Sequence, residues 1–312
     1  MAGIDAIFKP MSPIAIGLIV VSAFLHAAWN FHGKSRNPSA AFFLVATAFG
    51  ALCLAPLLLF FLEELAAIPV KVWGLLALAG FFLAVYYTGL ATAYRIGDMS
   101  LVYPLARSMP VVFATAVTLV FSLGGRISEV AMAGFLLVVV GCVVLPMKQL
   151  GALRLKDYLN GCCLLALLAA AGTAGYSITD DHALRLLRGL PEQPLTRATA
   201  PLMYIALEGL ISSIWLAIFL AAFRNQRRQI ADIMRSSKAS AALMGVMIWT
   251  AYALVLAAMA FASNVSYIVA FRQLSIPIGA LLGIVLLKEP CPKPKSIGLV
   301  LMLIGLVLVA AG

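Results

Sequence analysis

The chain has 312 residues, 63% of them hydrophobic and 11% charged, a mean hydropathy of +1.06 and a formal net charge of +10. A soluble protein of this length needs far more polar surface, so composition excludes two soluble domains and fits about ten membrane spans with their loops. The cations lie in short loops between apolar runs, which argues for membrane orientation and against a nucleic-acid partner.

The N-terminal stretch has Lys9 ahead of an apolar run, as a signal peptide would. That run continues into HAAWNFHGKS without a convincing cleavage site and reads as the first span. Windows of about the ~20 residues needed to cross a bilayer fall at 13–31, 40–61, 73–94, 100–122, 130–147, 158–179, 200–222, 240–262, 266–287 and 296–311. Each predicts a helix, because a lone strand leaves its backbone unpaired in lipid. The intervening breakers are Pro38, Pro69, GDMS, LGGRIS, PMKQLGALRLK, PEQPLTR and KEPCPKPK, with ASNVS at 262–266 the shortest link. Cys53, Cys142, Cys162, Cys163 and Cys291 lie mostly within apolar runs and form no CxxC, so neither a disulfide framework nor a metal site is expected. His26, His32 and His182 lack metal-ligand spacing, and nothing points to a cofactor.

Short words recur in the same order along both halves. HAAWN (26–30) answers TAGYS (173–177), Tyr86 answers Tyr252, Ser100 answers Ser266, and SMP (108–110) answers SIP (275–277). The expected fold is all-α: ten transmembrane helices as two inverted five-helix repeats around a central cavity. Residues 1–147 form the first repeat, 148–157 a connecting loop and 158–312 the second. An odd number of helices per half makes the second copy enter from the opposite side. Fourteen loop cations, among them Lys34, Arg36, Lys148 and those of RNQRRQIADIMRSSK (224–238), fall on one side against six on the other. That bias puts both termini outside.

Twenty of the 22 cations belong to loops; Arg107 and Arg272 remain, at similar depths in the fourth and ninth spans. Glu208 is the acid well inside a span, and His26 is the intramembrane histidine. An ionised group at mid-bilayer costs at least ~2.5–3.5 kcal/mol, so these side chains should face one another or a wet cavity. An Arg107–Glu208 pair that merely orients helices is the competing explanation. Helical spacing puts Ser100, Tyr103, Arg107 and Pro110 on one face, His26, Trp29 and Asn30 on another, and Thr173, Tyr176, Ser177 and Asp180 on a third. Tyr86 and Tyr252 correspond across the halves, with Trp249 one turn before Tyr252. The expected substrate site is therefore Arg107, Arg272, His26, Trp29, Asn30, Tyr86, Tyr103, Tyr176 and Tyr252, with Glu208 and Asp180 for charge balance or a coupling proton. GALLG (279–283) offers a small-residue face for close helix contact.

HAAWNFHGKS, YRIGDMSLVYPLARSMP, YSITDDHALR and FRQLSIPIGALLGIVLLKEP resemble, at matching places, the EamA family of the drug/metabolite transporter superfamily, in a bacterial ten-span form. The resemblance covers nearly the whole chain. It implies two inverted repeats around a central cavity, alternating access, and residence in the bacterial cytoplasmic membrane as a multi-pass protein. It also implies a small-molecule substrate such as an amino acid or another polar or anionic metabolite, often moved outward. Glu289 in LLKEP matches the family's acid after the ninth span, where it would cap a helix; Gly125 stands where the first half usually has a glutamate.

Secondary transport is thus the leading expectation, with no enzymatic activity, the bilayer as surroundings and a proton as a candidate coupling ion. No GxxxxGK[ST] motif is present to supply an ATPase. The alternative is a membrane-embedded enzyme acting on a lipid-linked substrate, for which TDDH (179–182) is the nearest cluster. A scaffold protein would need no polar residues at depth.

Overall fold

The computed structural model describes residues 13–36, 38–120, 128–151, 154–189, 199–260 and 272–311. Among these the regular structure is helical: α1 (Pro13–Ser35), α2 (Ala40–Leu54), α3 (Leu62–Ala66), α4 (Val70–Ile96), α5 (Met99–Val120) and α6 (Glu129–Val144). After the 148–157 link come α7 (Gly161–Arg188), α8 (Thr199–Ala221), α9 (Arg224–Ser236), α10 (Lys238–Ala260), α11 (Ser275–Leu286) and α12 (Lys293–Ala311). A 3₁₀ segment, Ala55–Phe61 with Pro56 in its first turn, joins α2 to α3. Among the described residues six helical stretches are long and apolar enough to cross a membrane, from Pro13–Ser35 to Lys238–Val255. These are the features of a multi-pass membrane protein. The outward faces agree, since Leu59, Phe60, Val70, Leu136 and Val285 are all exposed.

Local chemistry sets the helix ends. Ser39, Ser128 and Asn160 cap α2, α6 and α7 by accepting from the N–H groups of Phe42, Ala131 and Cys163. The α5 N-terminus takes its acceptor from the far end of the chain. The two carboxylate oxygens of Glu289 accept from the N–H groups of Met99 and Ser100, each at 2.7 Å. This puts Glu289 in the capping role its motif implies.

Two expectations need correction. The basic stretch 224–238 is mostly helix α9 and not a loop; its apolar Ile230 and Ile233 share one side and pack on the core. The sixth span runs on to Arg188, so TDDH lies within α7. The ASNVS link, the start of the ninth span at 266–271, Gly125, Lys9, Arg126 and Arg197 lie outside the described residues.

The helices pack in a definite pattern. α4 lies along α7 and α1 along α10; α5 meets α7 and α1 meets α11; α2 meets α10 and α4 meets α8. α2 also touches α8, α5 touches α11, and α6 and α12 form a pair. That last pair is glycine-lined: a Cβ on Gly134 would stand 2.6 Å from the Gly305 carbonyl oxygen, and one on Gly298 would stand 2.8 Å from the Leu145 nitrogen. Backbone-to-backbone contact of this kind replaces hydrophobic driving force in lipid, where packing and small residues hold helices together. GALLG does the same toward α5, with Gly279 against the Tyr103 ring and Gly283 against Ser100 and Glu289. One end of the bundle is tied by basic side chains. Lys34 donates to the carbonyls of Tyr94 and Gly97 at 2.6 and 2.7 Å, and Lys295 reaches Asp98 and Ser100 at 3.2 and 2.9 Å.

Candidate functional site

Inside the bundle is a cavity of ≈ 60 Å³ lined by His26, Trp29, Leu83, Tyr86, Tyr87, Arg107, Tyr176, Glu208, Ile248, Trp249, Tyr252 and Arg272. It draws on α1, α4, α5, α7, α8 and α10 and on the turn before α11. Glycines let these helices close on one another. A Cβ on Gly172 of α7 would come 2.7 Å from the Phe82 carbonyl oxygen, so α7 lies directly on α4 and the Tyr86 and Tyr176 rings meet at 6.2 Å. Gly50 and Gly209 make room for the indole of Trp249, whose Nε1 donates to the Thr47 carbonyl at 3.4 Å.

The cationic end holds Arg107 and Arg272. Arg107 donates through Nη2 to Ser275 Oγ at 3.4 Å, which ties α5 to the start of α11. Pro110 cannot donate to the Ala106 carbonyl one turn back, so α5 carries an interrupted ladder beside this guanidinium. Arg272 lies over the Tyr252 ring, 5.9 Å from its centroid, a cation–π placement. Among the described residues the Nε of each arginine is buried without a hydrogen-bond partner, as are His26 Nε2 and the Tyr103 hydroxyl. No carboxylate among the described residues forms an ion pair with either arginine; the ion pairs there are Arg185–Asp181 and Lys295–Asp98. The helix-orienting Arg107–Glu208 pair weighed from the sequence is therefore absent.

Glu208 instead belongs to a second polar group. Its carboxyl neighbours that of Asp180, whose Oδ1 accepts from the Tyr204 hydroxyl at 2.8 Å. All three residues are buried, with Glu208 3% and Asp180 6% exposed. The neighbouring acid goes elsewhere: Asp181 pairs with Arg185 at 2.7 Å on the exposed side of α7. TDDH thus splits between interior and surface instead of converging on one reacting atom.

The remaining expected residues sort by contact. His26 accepts through Nδ1 from Trp29 Nε1 at 3.2 Å, so both rings face the cavity as a unit. Asn30 sits behind them, fully buried, donating to the His26 carbonyl and accepting from the Tyr94 hydroxyl, both at 2.7 Å. Asn30 supports the wall and does not line the cavity. Tyr103 lies against Arg107 and Ser275 outside the lining, and Asp180 touches the cavity through Glu208. Two residues placed on cavity-facing helix sides do otherwise: Ser100 meets Lys295 at the bundle end, and Ser177 is exposed.

Tyr87, Leu83, Ile248 and Tyr204 are absent from the sequence expectation. Tyr204 lies one turn before Glu208 on the same face of α8, a spacing that could have pointed to it. Leu83 and Tyr87 share a face of α4 in the same way, but apolar spacing inside a span carries no such signal.

No known family profile matches the chain, and no curated protein is significantly similar to it. Among solved structures, 21 chains resemble it. One, described only as a crystal structure of a protein, superimposes with a TM-score of 0.50 and 15% identity over 95% of each chain. At that identity the likeness concerns the fold alone.

Proposed function

We propose that this chain is a secondary transporter of a small polar or anionic metabolite, working by alternating access as a ten-span, EamA-like member of the drug/metabolite transporter superfamily. One observation carries the reading: two half-buried arginines face one cavity with their Nε atoms buried, and among the described residues those Nε atoms have no partner and no carboxylate pairs with either guanidinium. In lipid such groups are retained where they bind something. A carboxylate or similar oxyanion would satisfy the free donors, and the surrounding aromatic rings would cover its apolar part.

The packing pattern supports an inverted repeat. Exchanging α1 with α7, α2 with α8, α4 with α10, α5 with α11 and α6 with α12 turns α4–α7 into α10–α1, α5–α7 into α11–α1, and α2–α10 into α8–α4. The pairs α2–α8, α5–α11 and α6–α12 map onto themselves. Rocking of one half against the other about a midplane site is the motion such a design permits. The adjacent Asp180 and Glu208 carboxyls, at the edge of the same cavity, are the candidate for coupling.

The test has two stages. A thermal-shift screen of small carboxylates, amino acids and organic phosphates on the purified protein should find a ligand that raises the unfolding temperature. Proteoliposomes should then exchange that ligand at a rate the empty vesicle lacks. Binding without flux in either direction overturns transport.

A further inference from the structure

The end of the bundle that carries Lys34, Arg36 and Arg95 has a second cavity, open to the surface and far more polar than the first. It is a cleft of ≈ 290 Å³ between α9 and the α1–α2 corner. Arg36 and Arg95 face it from the ends of α1 and α4, and Ser237, Ser240 and Asp232 from α9 and the start of α10. Both arginines are exposed, and neither forms an ion pair or a side-chain hydrogen bond among the described residues. The aromatic ring of Phe42 and the side chain of Ile233 supply an apolar floor.

Helix α9 extends this positive field. Arg224, Arg227, Arg228 and Arg235 stand at offsets of three, four and eleven residues from the first, so they share one exposed side of the helix, and exposed Lys238 follows at the start of α10. Ile230 and Ile233 occupy the opposite face and pack on the core. The helix therefore buries its apolar side in the protein and turns its cations away from it. It joins α8 to α10, two helices long and apolar enough to cross a membrane, at their adjoining ends.

We propose that the cleft between α9 and the α1–α2 corner binds the phosphodiester headgroup of an anionic phospholipid. Two guanidiniums against one carboxylate leave a single unit of positive charge, which matches a singly charged phosphodiester better than a dianionic phosphomonoester. The guanidiniums would take the phosphate oxygens, and the serine hydroxyls would reach the polar headgroup. Phe42 and Ile233 would meet the glycerol and the first acyl carbons, and the α9 stripe would lie against neighbouring anionic headgroups. This site is independent of what the central cavity carries.

The experiment compares unfolding temperatures in detergent micelles doped with phosphatidylglycerol or phosphatidylcholine. Phosphatidylglycerol should raise the wild-type value above that in phosphatidylcholine by about 2–4 °C or more. Arg36→Gln combined with Arg95→Gln should remove most of that difference while leaving the value in phosphatidylcholine unchanged. A double variant that keeps the full difference overturns the proposal, as does inorganic phosphate that reproduces the whole shift, since the ligand would then be a free anion. Photo-crosslinking wild-type protein with a photoreactive phosphatidylglycerol decides the matter should the variant fold poorly. Adducts should map to residues 36–42 and 229–240, and adducts confined to other segments overturn the site.

Discussion

Arg107 is held in an apolar helix by Ser275 and by a cavity shared with Arg272, and no carboxylate among the described residues forms an ion pair with it. The substitution Arg107→Lys keeps the charge but loses the planar fork, so a bidentate contact to an anion is lost where a plain countercharge would survive. The variant should insert and fold normally yet bind the ligand found by the screen more weakly by ~1–3 kcal/mol, measured by titration. Because Arg107 and Glu208 do not pair, Arg107→Met combined with Glu208→Leu should give folded but inactive protein. Wild-type exchange by that double variant would sink the anion-site reading. Glu208 itself serves the carboxyl pair. Glu208→Gln should abolish flux driven by a pH gradient while substrate counterflow persists, because the amide can donate to Asp180 but cannot release a proton. Continued pH-driven flux would remove Glu208 from coupling.

At the level of helices, two devices carry predictions. The α6–α12 seam is in backbone contact at Gly134 and Gly305, so Gly305→Val must push the helices apart. Overpacking of this kind costs about 1–3 kcal/mol, which should appear as a lower unfolding temperature in detergent. The second device is Glu289, whose two oxygens cap α5 from the α11–α12 link. Glu289→Gln retains one acceptor oxygen and loses the charge that complements the helix dipole. A loss of about 0.5–2 kcal/mol is expected, read in the same unfolding assay. Unchanged stability in that variant would show that the cap is incidental to the bundle.

Across the whole molecule, the basic end gathers Lys34, Arg36, Arg95, helix α9 and Lys295. The loop-charge bias predicts a cytoplasmic position for that end. In a background without native cysteines, a cysteine at exposed Ala231 of α9 should be shielded from impermeant thiol reagents in intact cells, and one at Arg188 should react. The reverse labelling would invert the topology.

The helical, membrane-crossing character was legible in composition and in window length, because a chain in lipid must satisfy its backbone within each span. That Arg107, Arg272, Glu208 and His26 turn inward to one cavity was legible for the same reason: polar groups stand out against an apolar background. Facing could be inferred wherever a polar residue marked the helix, which is why His26, Trp29, Tyr86, Tyr176 and Tyr252 reach the cavity as expected. Partner choice was another matter. Nothing in one dimension distinguishes an Arg107–Glu208 pair from an Asp180–Glu208 pair, since both join residues on different helices, and interhelical distance depends on which glycines let backbones touch. Gly172 against α4, Gly209 against Trp249 and Gly134 against Gly305 set those distances. The same holds for α9, whose basic residues counted toward orientation in the sequence. Only its packing on α2, α8 and α10 turns them into a stripe beside a cleft. Composition and periodicity determine what must be buried in a span; contact between spans determines which buried groups meet.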